Sequence, residues 1–500
     1  MKGIPVLLLA LLSLAACQPA ATTDPTPPNF VFFLVDDMGW ADLGCYGSTF
    51  YETPNIDRLA AEGIRFTQAY AACPVCSPTR ASIMSGKYPA RTGVTDWIPG
   101  RQNRLNQEPG HQLSARPFAQ QMALEEITIA EALQAAGYQT CFVGKWHLGT
   151  DSIYWPEHQG FDLNIGGHNR GSPPGGYFSP YNNPRLSDGP EGEYLTDRLT
   201  TESLHFLDTV GKDPFLLYFS FYTVHNPMQG KDSLVGKYEQ KRDQLGHSEA
   251  DRFDYDADWI RKAPERGNFR QRNLQDHATY ASMVESLDQN VGRVLDKLAE
   301  VGKQENTVVI FMSDNGGLST SEGSPTVNGS LRTGKGWLYE GGIREPMMIR
   351  WPNVIAAGQT SEVPVTSTDF YPTMLQMADL PLQPEQHQDG VSLLPLLAGN
   401  QAPQREAIFW HYPHYSNQGG RPGSVIRKGR YKLIEFLEGP SLELYDLEAD
   451  PGETNNLAEQ ETELTQSLQA ELQTWRAEVG AEMMDPNPAF DPTYERPSSK

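Results

Sequence analysis

The sequence predicts an α/β fold: a doubly wound, mostly parallel sheet with a smaller C-terminal unit of antiparallel sheet plus helix. Three observations carry this. Four apolar runs stop abruptly at polar residues, amphipathic helix patterns alternate with those runs, and after Leu397 the texture changes to short strands and tight turns. Unbroken apolar runs suit parallel strands covered on both faces, and their alternation with helices suits a doubly wound sheet.

The first run, Asn29-Phe-Val-Phe-Phe-Leu-Val35, ends at Asp36-Asp37-Met38-Gly39. Thr53-Pro54 caps a helix with Ile56, Leu59 and Ala60 inward, stopped by Gly63. Thr128-Ile-Ala-Glu131 is a capping box before Ala132, Leu133 and Ala136, with Gly137 as the stop. Gln139-Thr-Cys-Phe-Val143 then runs into Gly144-Lys145-Trp146-His147-Leu148-Gly149. Phe215-Leu-Leu-Tyr-Phe-Ser-Phe221 stops shortly before His225-Asn226-Pro227. Tyr280, Met283, Val284, Leu287, Val291, Val294, Leu295 and Leu298 make the apolar stripe of one long helix near 277–300. The fourth run, Thr307-Val-Val-Ile-Phe-Met312, stops at Ser313-Asp314-Asn315-Gly316-Gly317.

Three polar stretches, 96–125, 151–190 and 229–272, are too long for plain connections and read as walls of a site. Past residue 397, short strands are expected at Ala407-Ile-Phe-Trp410, Ser424-Val-Ile426, Tyr431-Lys-Leu-Ile434 and Leu442-Glu-Leu-Tyr445. A helix with Leu457, Leu464, Leu468 and Leu472 follows. The expected organisation is a leader over 1–16, a tether over 17–28, a catalytic unit over 29–397 and a C-terminal α+β unit over 398–500.

Four inferred strands thus deliver charged or metal-binding groups just past their ends, where open α/β sheets bind ligands. Asp36, Asp37, Asp314 and Asn315 offer only oxygen donors, which suit calcium or magnesium and not zinc or copper. Adjacent carboxylates repel without a cation. A solvated strand-end turn explains one acidic pair; two such pairs favour a metal.

In Cys73-Pro-Val-Cys-Ser-Pro-Thr-Arg-Ala-Ser-Ile-Met-Ser-Gly86, Pro78 suits a first helical turn, Ser77 can cap it, and Gly86 can end it. Cys76 is therefore expected where a loop enters a helix, a position that favours an anion. A buried structural cysteine, or a dithiol pair with Cys73, fits the spacing too.

This stretch resembles the signature of the type I sulfatases, of the alkaline-phosphatase-like superfamily, on Cys76, Pro78, Arg80 and Gly86. In that family the cysteine is oxidised to formylglycine. The resemblance extends to Asp36, Asp37, Asp314 and Asn315, which match its metal ligands, usually around calcium, with the oxygen derived from Cys76 completing the shell. Lys145 and His147 match its catalytic Lys and His, His225 the His that meets the sulfate or leaving oxygen, and Lys335 its second sulfate-binding Lys. Tyr445-Asp-Leu-Glu-Ala-Asp-Pro-Gly-Glu453 resembles a phrase of its C-terminal domain. A sulfuric ester hydrolase follows as the expected activity, with one calcium ion in preference to magnesium. A formylglycine-generating or anaerobic sulfatase-maturating enzyme would be a partner. Trp410-His-Tyr-Pro-His-Tyr415 and Gly166-Gly-His-Asn-Arg170 add His411, His414, His168 and Arg170 as candidates for gripping a sulfated, galactose-type carbohydrate. The rivals are a phosphonate or phosphate monoester hydrolase of the same superfamily and a catalytically silent glycan-binding lipoprotein.

Lys2, the apolar run 4–14 and Leu14-Ala15-Ala16-Cys17 read as an export signal ending in a lipobox, with Cys17 lipidated. Gln18 after it favours the outer membrane of a bacterial envelope, the lipid being the sole membrane contact. Lys+Arg 40 against Asp+Glu 63 gives −23, which makes nucleic acid an unsuitable partner and requires a local basic pocket for any anion. Cys45, Cys73 and Cys141 remain, an odd number that implies no full disulfide framework.

Overall fold

The computed structural model describes residues 27–100, 108–255, 257, 269–399, 401–439 and 441–494. The leader, Cys17 and most of the tether lie outside the described residues. In chain order the elements that position the site are β1 (Asn29–Val35), α1 (Pro54–Ala61), β2 (Ile64–Tyr70), α2 (Cys76–Ser85), α3 (Ile129–Ala135), β3 (Gln139–Gly144), β4 (Leu163–Ile165), α4 (Leu195–Thr209) and β5 (Phe215–Ser220). They continue with α5 (Asp232–Leu245), α6 (Ala278–Glu300), β6 (Thr307–Ser313), β7 (Arg344–Arg350), β8 (Gln359–Ser361), β9 (Val365–Thr366) and α7 (Phe370–Met377).

The main sheet has the order β8-β2-β7-β6-β1-β5-β3-β4, with β9 also on β2. Pairs β1–β5, β1–β6, β3–β5 and β3–β4 are parallel; β7 runs antiparallel to both β2 and β6. Each apolar run feeds two cores, as a strand covered on both faces must. Val31, Phe33, Leu217 and Phe219 pack under α1, α4 and α6. Phe30, Phe32, Leu216 and Tyr218 pack on the other face with Ile83, Leu133, Phe370 and Met374. Burying each such side chain is worth about 1.5–3 kcal/mol.

The capping box at Thr128 forms as expected, Thr128 Oγ1 accepting from the Glu131 amide at 3.0 Å. Two expected caps do not form. Thr53 makes no side-chain cap to α1, its hydroxyl donating to Asp57 at 3.1 Å. Ser77 does not cap α2 either: Cys76 is already the first helical residue, and the Ser77 hydroxyl donates to the His147 carbonyl at 2.9 Å. Sequence reading missed β2 and β7, because Ile64-Arg-Phe-Thr-Gln-Ala-Tyr70 mixes polar and apolar residues without clean alternation.

The second sheet is four antiparallel strands, β10 (Ala407–Tyr412), β11 (Gly423–Lys428), β12 (Tyr431–Phe436) and β13 (Ser441–Asp446), covered by α8 (Thr462–Glu478). Leu468, Leu472 and Trp475 of α8 pack on Ile426, Leu433 and Leu444. The other face of this sheet packs on Trp337, Leu338 and Tyr339, so it meets the segment that carries Lys335. No described helix is long and apolar enough to cross a membrane.

Candidate active site

Strand register assembles the site. Val35 of β1 pairs with Ser313 of β6, so Asp36 and Asp314 leave the sheet side by side. Gly144 pairs with Ser220, and the Lys145 amide donates to the Ser220 carbonyl at 2.8 Å, which brings Lys145 to the same edge. The α2 N-terminus presents Cys76 there, and Gly86 ends that helix in the left-handed conformation (φ 69).

The charged groups interlock. Lys145 Nζ donates to Asp36 Oδ2 at 2.6 Å. Lys335 Nζ lies 2.6 Å from Asp37 Oδ1 and donates to Oδ2 at 2.8 Å. Arg80 donates through Nε and Nη2 to Asp314 Oδ2 at 2.9 and 2.6 Å, and through Nη1 to the Lys145 carbonyl at 2.8 Å and Ser220 Oγ at 2.5 Å. Asn315 Nδ2 donates to Asp37 Oδ1 at 2.8 Å. Burial, with Asp314 and Asp37 alongside, holds the Asp36 carboxyl well above the usual range against the pull of Lys145. Against the same burial, Lys335 and His225 hold Asp37 below it.

The donor set fits a hard divalent cation. Ligand atoms of Asp36, Asp37 and His225, and of Asp36, Cys76 and Asp314, lie within 4.8 Å of one another in each group. Asp36 Oδ1 and Asn315 Oδ1 are buried without a hydrogen-bond partner. Orphaned buried oxygens are costly unless something coordinates them.

The two histidines have assigned tautomers. His147 Nε2 faces the Ile98 carbonyl, so it carries the proton and leaves the Nδ1 lone pair 3.5 Å from Cys76 Sγ. Burial and Lys145 lower its pKa well below the usual value. His225 gives its Nδ1–H to the Asn226 carbonyl at 2.7 Å, and its Nε2 lies 3.7 Å from Asp37. Burial, with Lys335 and Lys145, lowers His225 to about 3 despite Asp37. Burial also pushes the Cys76 thiol up, more than Lys145 and Lys335 pull it down.

Above this cluster opens a cavity of about 390 Å³ lined by Cys76, His147, His225 and Lys335. Trp97, Ile98, Pro99, Asn169, Arg170, Glu322, Asn417 and Gln418 complete most of its wall. Arg80 and Lys145 are not among the lining residues; they brace the cluster beneath it.

At 28–380 the chain matches the family model described as Sulfatase. The chain belongs to the sulfatase family. A second match, to the C-terminal region of N-sulphoglucosamine sulphohydrolase, covers 333–478. Human arylsulfatase A is 33% identical, over 94% of this chain and 91% of that protein. A sulfatase of Formosa agariphila is 31% identical over 90% and 88%, and mouse N-acetylgalactosamine-6-sulfatase is 31% identical over 91% and 82%. Among solved structures, Ps i-CgsB in complex with k-i-k-neocarrahexaose aligns with a TM-score of 0.72 at 26% identity, covering 93% of this chain and 95% of that one. Sulfatases are sulfuric ester hydrolases, and so is this chain.

The structure brings Cys76, Arg80, Lys145, His147, His225, Lys335, Asp36, Asp37, Asp314 and Asn315 to one place in this sulfatase. Two candidates for gripping substrate fall elsewhere. His411 is buried in β10, bonded to Ser424 Oγ at 2.8 Å and the Glu482 carbonyl at 2.9 Å. His414 is buried against Phe118 and Tyr412, with Thr95 Oγ1 at 2.9 Å. Neither lines the cavity, which sequence spacing alone does not reveal. His168 is buried and supports His147 through its carbonyl at 3.2 Å, while Arg170 lines the cavity. Of the three expected walls, 96–125 and 151–190 supply lining residues; among the described residues of 229–272 none lines the cavity, and 232–245 form α5, packed on α6. Sequence reading missed Ser220, Ile98, Glu322, Asn417 and Gln418. Ile98 acts through its carbonyl, and carboxamides on distant loops carry no motif.

Proposed function

We propose that this sulfatase removes sulfate from a carbohydrate of galactose type, sulfated at position 6 or 4. It would use formylglycine made from Cys76 and one calcium ion held by Asp36, Asp37, Asp314 and Asn315. The observation that carries this reading is the convergence of Cys76, His147, His225 and Lys335 on one cavity beside three buried carboxylates. A buried thiol held above its ordinary range is a poor nucleophile, which favours a modified Cys76. The hydrated aldehyde would supply the attacking hydroxyl, and the cation would acidify it and draw charge from the sulfate oxygens.

The chain's own residues divide the remaining work. Lys335 offsets the charge that builds on the sulfate oxygens. His147 takes a proton on Nδ1, because its Nε2–H is committed to the Ile98 carbonyl. His225 delivers a proton from Nε2 to the leaving oxygen once the entering anionic ester has raised its pKa. Arg80 and Lys145 hold Asp314 and Asp36 in place.

The carbohydrate reading is supported by relatives named for N-acetylgalactosamine-6-sulfate and by the neighbour crystallised with k-i-k-neocarrahexaose. The lipobox supports an outer-membrane lipoprotein anchored through Cys17, and the Cys76-Ser-Pro-Thr-Arg80 signature supports maturation by a formylglycine-generating or anaerobic maturating enzyme. Peptide mass spectrometry across residues 71–80 from the native host, with sulfate release from 6- and 4-sulfated galactosides, tests the proposal. Formylglycine at 76 and release from at least one glycan are expected. An unmodified thiol in active enzyme overturns the mechanism; turnover of an aryl sulfate but of no glycan overturns the substrate.

A further inference from the structure

Almost every charged group facing the cavity is a cation or a potential one: Lys335, Arg170, His147 and His225. Glu322 is the one carboxylate among the described lining residues. It is exposed, yet it is held firmly. Its Oε1 accepts from Asn417 Nδ2 and from Gln418 Nε2, each at 2.7 Å, and its Oε2 accepts a longer bond from Asn226 Nδ2 at 3.3 Å. Asn226 follows His225, so the carboxylate is tied to the catalytic loop. Gln418 is itself fixed, its carbonyl accepting from Thr320 Oγ1 at 3.0 Å and from Trp337 Nε1 at 2.9 Å. Glu322 also stands at φ 53, a left-handed conformation that non-glycine residues adopt at a cost.

A carboxylate that accepts two carboxamide N–H bonds on one oxygen and a single longer one on the other is fixed in orientation and keeps acceptor capacity to spare. Such a group can do two things to a ligand at this depth. It accepts O–H bonds from hydroxyls, and it repels a second anion. A sulfate ester drawn in by Lys335 therefore meets, beside it, a fixed acceptor that tests the rest of the ring.

We propose that Glu322, held by Asn417, Gln418 and Asn226, selects the sulfated sugar: it binds free hydroxyls of the ring whose sulfate is cleaved and rejects rings bearing a second anionic substituent. This rests on the sulfatase reading of the same cavity and narrows it to singly sulfated rings.

The test compares wild type with Glu322→Gln and Glu322→Ala on 4-nitrophenyl sulfate, galactose 6-sulfate and galactose 4,6-disulfate, all with the mature enzyme. Glu322→Gln keeps the shape and removes the charge; it is expected to raise the disulfate-to-monosulfate ratio of kcat/KM about tenfold. Glu322→Ala is expected to lower kcat/KM for galactose 6-sulfate relative to the aryl sulfate by about ten- to a hundredfold, through KM. Ratios equal to wild type in both variants overturn the proposal. So does a parallel loss on all three substrates, which would mean that Glu322 acts through Lys335 or His225. Wild type that turns over the aryl sulfate alone overturns the carbohydrate reading, and this inference with it.

Discussion

Single residues carry the chemistry. Replacing Cys76 by Ala is expected to reduce sulfate release by about a thousandfold or more, since it removes the source of the proposed nucleophile. Its Tm should stay close to wild type; a variant retaining a tenth of the activity would sink the assignment. The orphaned Asn315 Oδ1 gives the proposed cation a separate readout. Chelation should lower the Tm of wild type and calcium should restore it. A ligand at a hundred times its Kd stabilises by about 2.7 kcal/mol, and Asn315→Ala should shrink that shift. An undiminished calcium shift would remove Asn315 from the ligand set. Asp96 offers a pH test away from the proposed metal site. Burial raises its pKa to about 7, although the Trp97 amide and the Tyr412 hydroxyl both donate to it. The unfolded carboxyl ionises near pH 4 while the folded one keeps its proton until about pH 7. Its contribution is therefore fully present below pH 4 and is lost as pH rises to about 7. Asp96→Asn should flatten the fall in stability across that window; denaturant titrations at pH 4.5 and 7.5 would measure it, and parallel slopes would refute it.

At the scale of elements, strands aim the chemistry and the turns after them allow close approach. Gly144 ends β3 at φ 96, and a Cβ there would lie 2.0 Å from the Ser220 carbonyl oxygen. Gly144→Ala must therefore push β3 from β5 and shift Lys145. A loss of roughly 2–4 kcal/mol is expected, with a fall in kcat. An unchanged urea midpoint would show that the turn tolerates a side chain. Helix α2 illustrates a second lesson. Pro78 and Gly86 marked its span, but the Ser77 hydroxyl goes to His147; the helix starts two residues earlier, at Cys76 with Val75 before it, and Cys76 belongs to its first turn.

At the scale of the molecule, the two sheets are joined by buried charge. Lys432 of β12 is fully buried between Glu340 at 3.0 Å and Glu453 at 2.8 Å, and Glu340 also accepts from Tyr70 of β2 at 2.8 Å. Removing one partner of a buried pair leaves the others uncompensated, at about 3–5 kcal/mol. Lys432→Met should lower stability by that order and loosen the 333–342 segment that carries Lys335, raising KM for sulfate esters as well. A loss below about 1 kcal/mol would show that the cluster contributes little. The second sheet is therefore part of the active site's support, and through Asn417 and Gln418 part of its wall.

The chain order alone determined the central strands, the long helix, the C-terminal sheet and the acidic and basic residues at strand ends. Apolar runs and abrupt stops are local, and a parallel sheet places every such stop at one edge. Only tertiary structure decided that His411 and His414 are buried away from the cavity, that 232–245 pack on α6, and that Glu322 meets Asn417 and Gln418. Those contacts join residues far apart in the chain, 95 positions for Glu322 and Asn417 and 319 for Thr95 and His414, through loops whose course depends on what the two sheets bury between them. No local pattern encodes that burial; the packing of one sheet on the other does.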